Sequence, residues 1–304
     1  MRISYKNLLF SAFIFFGITV LSCCTLEAGS SPSQQSQIVS SDQGIAIPPY
    51  LVSDENGLIK LGNIRWGLKT KNPKQVPSDF YEYSWTNAVI NPDMVDEIYY
   101  VQRPFKPELI ACHVFVVFTF KSGGFVGKTG FRPEGLVISF EAMRQPGDTF
   151  NMWKGGMTGK YGVGCVMAAW EDYVSIDCDL LGNRYIPYRM NLEHHQKVDL
   201  LRATIYKGLQ DFSKQRYQVL LNSCESNLIP EIDSVLPVEK QIPAHLIGKL
   251  DNPIANQPKL VPLIFVKNGV FEKRNLVINS SNYFAPLNKL WNSSNCDFKG
   301  TIEQ

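Results

Sequence analysis

The chain has 304 residues, 44% of them hydrophobic, and a formal net charge of +2 at pH 7. No long basic or acidic block accompanies that balance, which argues against a nucleic-acid partner. Seven cysteines and four histidines contain no Cys-x-x-Cys pair and no ligand spacing, so neither a metal nor another cofactor is expected.

Arg2 and Lys6 precede an unbroken apolar stretch from about Leu8 to Leu21. At roughly 14 residues it suits a signal h-region and falls short of the ~18–20 needed to span a bilayer. Val20-Leu21-Ser22-Cys23-Cys24 follows, with a small residue directly before a cysteine, and this resembles a lipobox. The expectation is a signal peptide over 1–22, with Cys23 lipidated as the first mature residue. The protein would then be anchored by lipid to a bacterial envelope membrane, facing the periplasm. An ordinary signal cut nearby, which releases a soluble secreted protein, is the alternative. Residues 23–45 are Ser/Gln-rich and read as a flexible tether.

Roughly 255 residues remain, enough for one large domain. Residues 46–94 are mixed and rich in turn formers, and no element is assigned there. Glu97-Ile98-Tyr99-Tyr100-Val101 reads as a strand. His113 to Phe120 is nearly all β-branched or aromatic, so it reads as a strand buried on both faces. Gly135 to Met143 gives another. Strands on either side of Trp170-Glu171-Asp172-Tyr173 are expected to form a hairpin. Its register would place Cys165 opposite Cys178, close enough for a disulfide; two small buried residues facing each other is the alternative. A strand near Tyr185-Ile186-Pro187-Tyr188 leads to Asn191, which can cap a long helix to about Ser213. Val198, Leu201, Ile205, Leu209 and Phe212 make its buried face, and His194 and His195 sit solvated in its first turns. In 251–304, Val261 to Phe265 and Val270 to Glu272 flank Lys267-Asn268-Gly269, a hairpin signal. The pattern is α+β: an antiparallel sheet with one long helix and one short helix.

Five cysteines lie beyond the export signal, an odd number, so at least one is a free thiol in an oxidising compartment. Cys224 stands where a loop runs into an expected helix. Unpaired amides and the positive dipole end there favour thiolate. His113 begins a buried strand, where an imidazole can be held rigidly as the base a thiol nucleophile needs. Ser139 and Glu141 alternate onto one strand face and are candidates to orient that imidazole. Arg144 is a candidate for an anionic substrate group or for an ion pair with Glu141. Asn222 and Tyr217 are candidate oxyanion donors or loop braces. Pro230, six residues after Cys224, should kink a helix that starts at the cysteine.

The order of these residues carries a resemblance. A His-led strand is followed by Ser139-x-Glu141-Ala142-x-Arg144, then Gly147 and Phe150. Tyr217 precedes Cys224 by seven residues, and Asn227 follows it. This arrangement, over roughly 95–250, resembles the Lnb N-terminal periplasmic domain family, formerly listed as a domain of unknown function. The resemblance implies a circularly permuted papain-like fold, related in layout to NlpC-type amidases and to lecithin:retinol acyltransferase. It implies Cys224 as nucleophile, His113 as general base and an acyl-thioester intermediate, hydrolysed or passed to an acceptor. A peptidoglycan or peptide amidase would use the same pair. A reading from another class is a catalytically silent lipoprotein that binds an envelope partner.

Overall fold

Residues with β-branched and aromatic side chains dominate the strands, and their alternation decides which side of the sheet each one serves. The computed structural model describes residues 39–41, 44–68, 83–105, 112–127, 130, 132–144, 151–219, 221–242 and 260–294. The expected signal peptide over 1–22, Cys23, most of the expected tether, His245 and Cys296 lie outside these.

Among the described residues the strands are β1 (Val39–Ser41), β2 (Gly44–Ala46), β3 (Tyr50–Glu55), β4 (Leu58–Leu68), β5 (Tyr83–Ile90), β6 (Val95–Pro104), β7 (Cys112–Phe120), β8 (Phe125–Gly127), β9 (Gly135–Met143), β10 (Gly162–Ala169), β11 (Ile186–Met190) and β12 (Phe271–Lys273). The helices are α1 (Trp170–Ser175), α2 (His194–Gly208), α3 (Cys224–Ser234), α4 (Val261–Lys267) and α5 (Leu287–Ser293). β1 pairs with β2. The other ten strands form one sheet in the order β12-β11-β6-β7-β9-β10-β4-β5-β8, with β3 also on β4. Every pairing is antiparallel except β10 with β4, a parallel contact at Ala168 and Arg65. The fold is thus mixed α+β, built on a large, mostly antiparallel sheet.

Both faces of the central strands β7 and β9 are buried. Val114, Val116 and Phe118 of β7, with Ile138 and Phe140 of β9, face one core. That core is closed by Leu201 and Ile205 of α2 and by Leu228, Ile229 and Ile232 of α3. Phe115, Val117 and Val137 point the other way, against Trp170, Tyr173 and Val174 of α1 and against Leu287 and Trp291 of α5. The central strands read as unbroken apolar runs because neither face meets water.

Several expectations change. The segment 46–94, unassigned from sequence, contributes β3, β4 and β5 to the same sheet as β7, and Gln37–Gln304 form one compact unit. The expected hairpin around Glu171 is a helix, α1, which runs into a π-helical turn over Ile176–Leu180. Cys165 and Cys178 are therefore not cross-strand partners. Both are free, and they lie in the cores on opposite faces of the sheet. The expected hairpin at Asn268-Gly269 is instead the end of α4. Gly269 takes φ 71°, Val270 N–H donates to Phe265 O (2.8 Å) and Gly269 N–H to Val266 O (3.1 Å), a Schellman stop. The cap of α2 is Glu193, whose N–H donates to Gln196 Oε1 (2.9 Å), and Asn191 is tied to the Gly269 turn. The helix ends at Gly208, short of Ser213.

Candidate active site

Cys224 is the first residue of α3. Ser223 caps the helix: its Oγ accepts from Ser226 N–H (3.5 Å), and Ser226 Oγ accepts from Ser223 N–H (2.8 Å). Pro230 lies inside this helix and exposed, where water can take the carbonyl its ring leaves unbonded. The loop before the cysteine is braced from within. Asn222 Nδ2 donates to Gln215 Oε1 and Arg216 O, both at 3.2 Å. Asn227 Nδ2 donates to Asn222 Oδ1 (2.9 Å) and Ser223 O (2.8 Å). Asn222 is thus a loop brace; its amide hydrogens are committed.

The Cys224 thiol is 2% exposed. Burial pushes it up to about 11, against the donors aimed at the sulfur: the Val114 and Glu225 amides and the Tyr217 hydroxyl at 3.9 Å. Glu225 adds to the upward shift. Glu225 is itself buried, and its Oε1 accepts from Tyr100 Oη (3.3 Å); burial holds its carboxyl well above the usual range.

His113 shares its sheet face with Phe115, the ring centroids 6.1 Å apart. Its Nε2 lies 2.8 Å from Ser139 Oγ and 3.3 Å from Tyr173 Oη. Tyr173 Oη also meets Ser139 Oγ (3.1 Å) and donates to Glu141 Oε1 (2.9 Å). The strands set this up: β7 and β9 pair over Val116–Thr119, and alternation brings His113, Ser139 and Glu141 to one side. Burial, then the Arg103 charge, depresses the imidazole well below its ordinary range, so it is a neutral base at neutral pH. Arg103 is held by Asp177 (2.8 Å), which also accepts from Tyr185 Oη (2.6 Å).

The structure brings together His113, Ser139 and Glu141, and separately Cys224 and Tyr217. Cys224 packs in the core on the α3 side, and no hydrogen bond joins its thiol to the imidazole. A cavity of about 20 Å³ is lined by His113, Glu141 and Arg103 and by Phe105, Cys112, Ala142 and Tyr217; Cys224 is not among its lining residues. It has room for one water. Arg144 is buried at the end of β9 and does not line the cavity.

Sequence reasoning missed Tyr173, Arg103 and Asp177. Tyr173 was hidden by the hairpin expected around it; Arg103 had a signal, a cation closing an apolar strand. Among the described residues no cluster of His, Cys, Asp and Glu is arranged to hold a metal, and no helix is long and apolar enough to cross a membrane. No family model, curated protein or solved structure matches the chain.

Proposed function

We propose that this protein is a thiol enzyme of the bacterial envelope, an acyl hydrolase or acyltransferase, with Cys224 as nucleophile and His113 as base. The observation that carries the reading is a cavity lined both by a neutral, braced imidazole and by Tyr217, the residue whose hydroxyl donates to Cys224 Sγ. In the first step the sulfur bonds to a substrate carbonyl carbon while the S–H proton passes to the imidazole. The imidazolium returns that proton to the departing alcohol, thiol or amine as its bond to the acyl carbon breaks. Water or an acceptor amine then attacks the thioester, and the thiol is regenerated. The Cys224 N–H is the candidate oxyanion donor, a contribution of about 3–4 kcal/mol in related acyl chemistry.

The permuted papain-like layout and kinship with the Lnb N-terminal domain belong to the same proposal. They are supported by the order of a His-bearing strand before a Cys-bearing helix and by the antiparallel sheet. Lipidation at Cys23 and a periplasm-facing location rest on the N-terminal sequence. The test is intact-mass detection of an acyl adduct at Cys224 after exposure to acyl-thioester probes, with Cys224→Ala as control. Cleavage of muropeptides in a parallel arm would instead assign amidase chemistry.

The second reading, a silent binding lipoprotein, is favoured by the buried thiol without an imidazole bond. It is the outcome if neither class of substrate leaves an adduct or a product.

A further inference from the structure

We infer that Tyr173 is the positioning residue of this site: its hydroxyl links Glu141 to Ser139, fixes the proton of His113 on Nε2, and leaves Nδ1 as the basic nitrogen. The inference follows from counting protons along the contacts. Tyr173 Oη carries one hydrogen and donates to Glu141 Oε1 at 2.9 Å. That hydrogen is therefore spent on Glu141. Tyr173 and Ser139 are 3.1 Å apart, and with the phenolic hydrogen committed, Ser139 must supply the hydrogen of that bond. With its own hydrogen so committed, Ser139 Oγ can only accept at its 2.8 Å contact with His113 Nε2. The Nε2 hydrogen then points to Ser139, and the whole chain donates in one direction, from imidazole to carboxylate.

Tyr173 is held so that it cannot leave this line. It is fully buried, its ring centroid lies 4.8 Å from Phe115 and Arg65 stands over its ring at 5.6 Å. Arg65 is pinned in turn by Asp172, the residue before Tyr173 on α1. At the far side of the imidazole, no hydrogen bond engages Nδ1 among the described residues, and the ring lines the cavity. The tautomer that the chain dictates thus leaves Nδ1 with its lone pair free to take a proton. Only this last step rests on the proposed thiol chemistry.

The experiment is nitrogen-15 NMR of the full chain with labelled histidine, His113→Asn serving to assign its signals. In the unmodified protein Nε2 should be protonated and Nδ1 not. Tyr173→Phe, which removes one oxygen from the chain, and Glu141→Gln, which can donate as well as accept, should each give a mixture of tautomers. If Tyr173→Phe does not fold, Ser139→Ala breaks the adjacent link and should give the same mixture. A proton on Nδ1 in the unmodified protein, or one unchanged tautomer in the folded variants, would overturn the inference. Alkylation of Cys224 in the same samples separates this from the functional reading. A drop of about tenfold, the scale of one lost hydrogen bond, supports both. A changed tautomer with an unchanged alkylation rate removes His113 as the base and leaves the role of Tyr173 standing.

Discussion

The Tyr217 hydroxyl stands 3.9 Å from Cys224 Sγ, donated across the loop that leads into α3. The bond favours thiolate, and it is long, so its effect is modest. Tyr217→Phe should raise the thiol pKa and slow Cys224 alkylation at pH 7 by about two- to fivefold, a fraction of a full hydrogen bond. An unchanged rate would mean that the hydroxyl serves the cavity wall alone.

Stability should depend on pH through His113. The folded imidazole lies well below its ordinary value, chiefly through burial. Below about pH 6.5 the unfolded chain takes up a proton that the folded chain refuses. The native state is therefore least affected above that pH and loses stability as pH falls, by up to about 1.4 kcal/mol per unit. Urea denaturation near pH 7.5 and pH 5.5 should show His113→Asn losing about 1.4 kcal/mol less than the unmodified protein between the two. Equal losses would assign the acid sensitivity to other groups.

Arg65 and Asp172 form an ion pair with both side chains fully buried, joining β4 to α1. Removing one partner leaves a charge without its counter-ion in the core. Arg65→Met should cost about 3–5 kcal/mol in a chemical melt, and adding Asp172→Leu should recover much of it. Additive losses would show that the two charges are satisfied separately.

Cys165 lies under the last residue of α2. A methyl group at Gly208 would meet Cys165 Sγ at 2.6 Å and Met167 Cε at 2.7 Å. Gly208→Ala gains up to ~1 kcal/mol of helix propensity and loses ~1–3 to overpacking. The net expectation is a modest loss, relieved by adding Cys165→Ala. The same packing predicts that protein exported to an oxidising compartment shows no Cys165–Cys178 crosslink by mass.

The strands with uniform character were legible: β7 and β9 stand where their apolar runs put them, because burial on both faces leaves no alternation to misread. The elements that failed turned on local backbone choices. Asn56-Gly57 and Asn268-Gly269 are the same dipeptide. Both residues of the first have positive φ (54° and 76°) and turn the β3–β4 hairpin, whereas in the second only Gly269 does, and it stops a helix. What precedes the dipeptide decides between the two: a strand in one case, Pro262 at the start of a helix in the other. Cys224, His113, Ser139 and Glu141 could be singled out from residue type and order. That the imidazole would line a cavity with Tyr217 while the thiol packs in the core on the α3 side could not, since it depends on α3 and α1 covering opposite faces of the sheet.

The claim that His113 activates Cys224 is tested most directly by the pH dependence of iodoacetamide labelling at Cys224, located by mass spectrometry. From about pH 6 to pH 9 the imidazole is neutral and can take the thiol proton as the bond forms. The unmodified protein should therefore label at a nearly constant rate across that range. His113→Ala should label more slowly, its rate rising about tenfold per pH unit toward the thiol value of about 11. The same rate and the same slope in both proteins would contradict activation by His113 and leave Cys224 a buried, inert thiol.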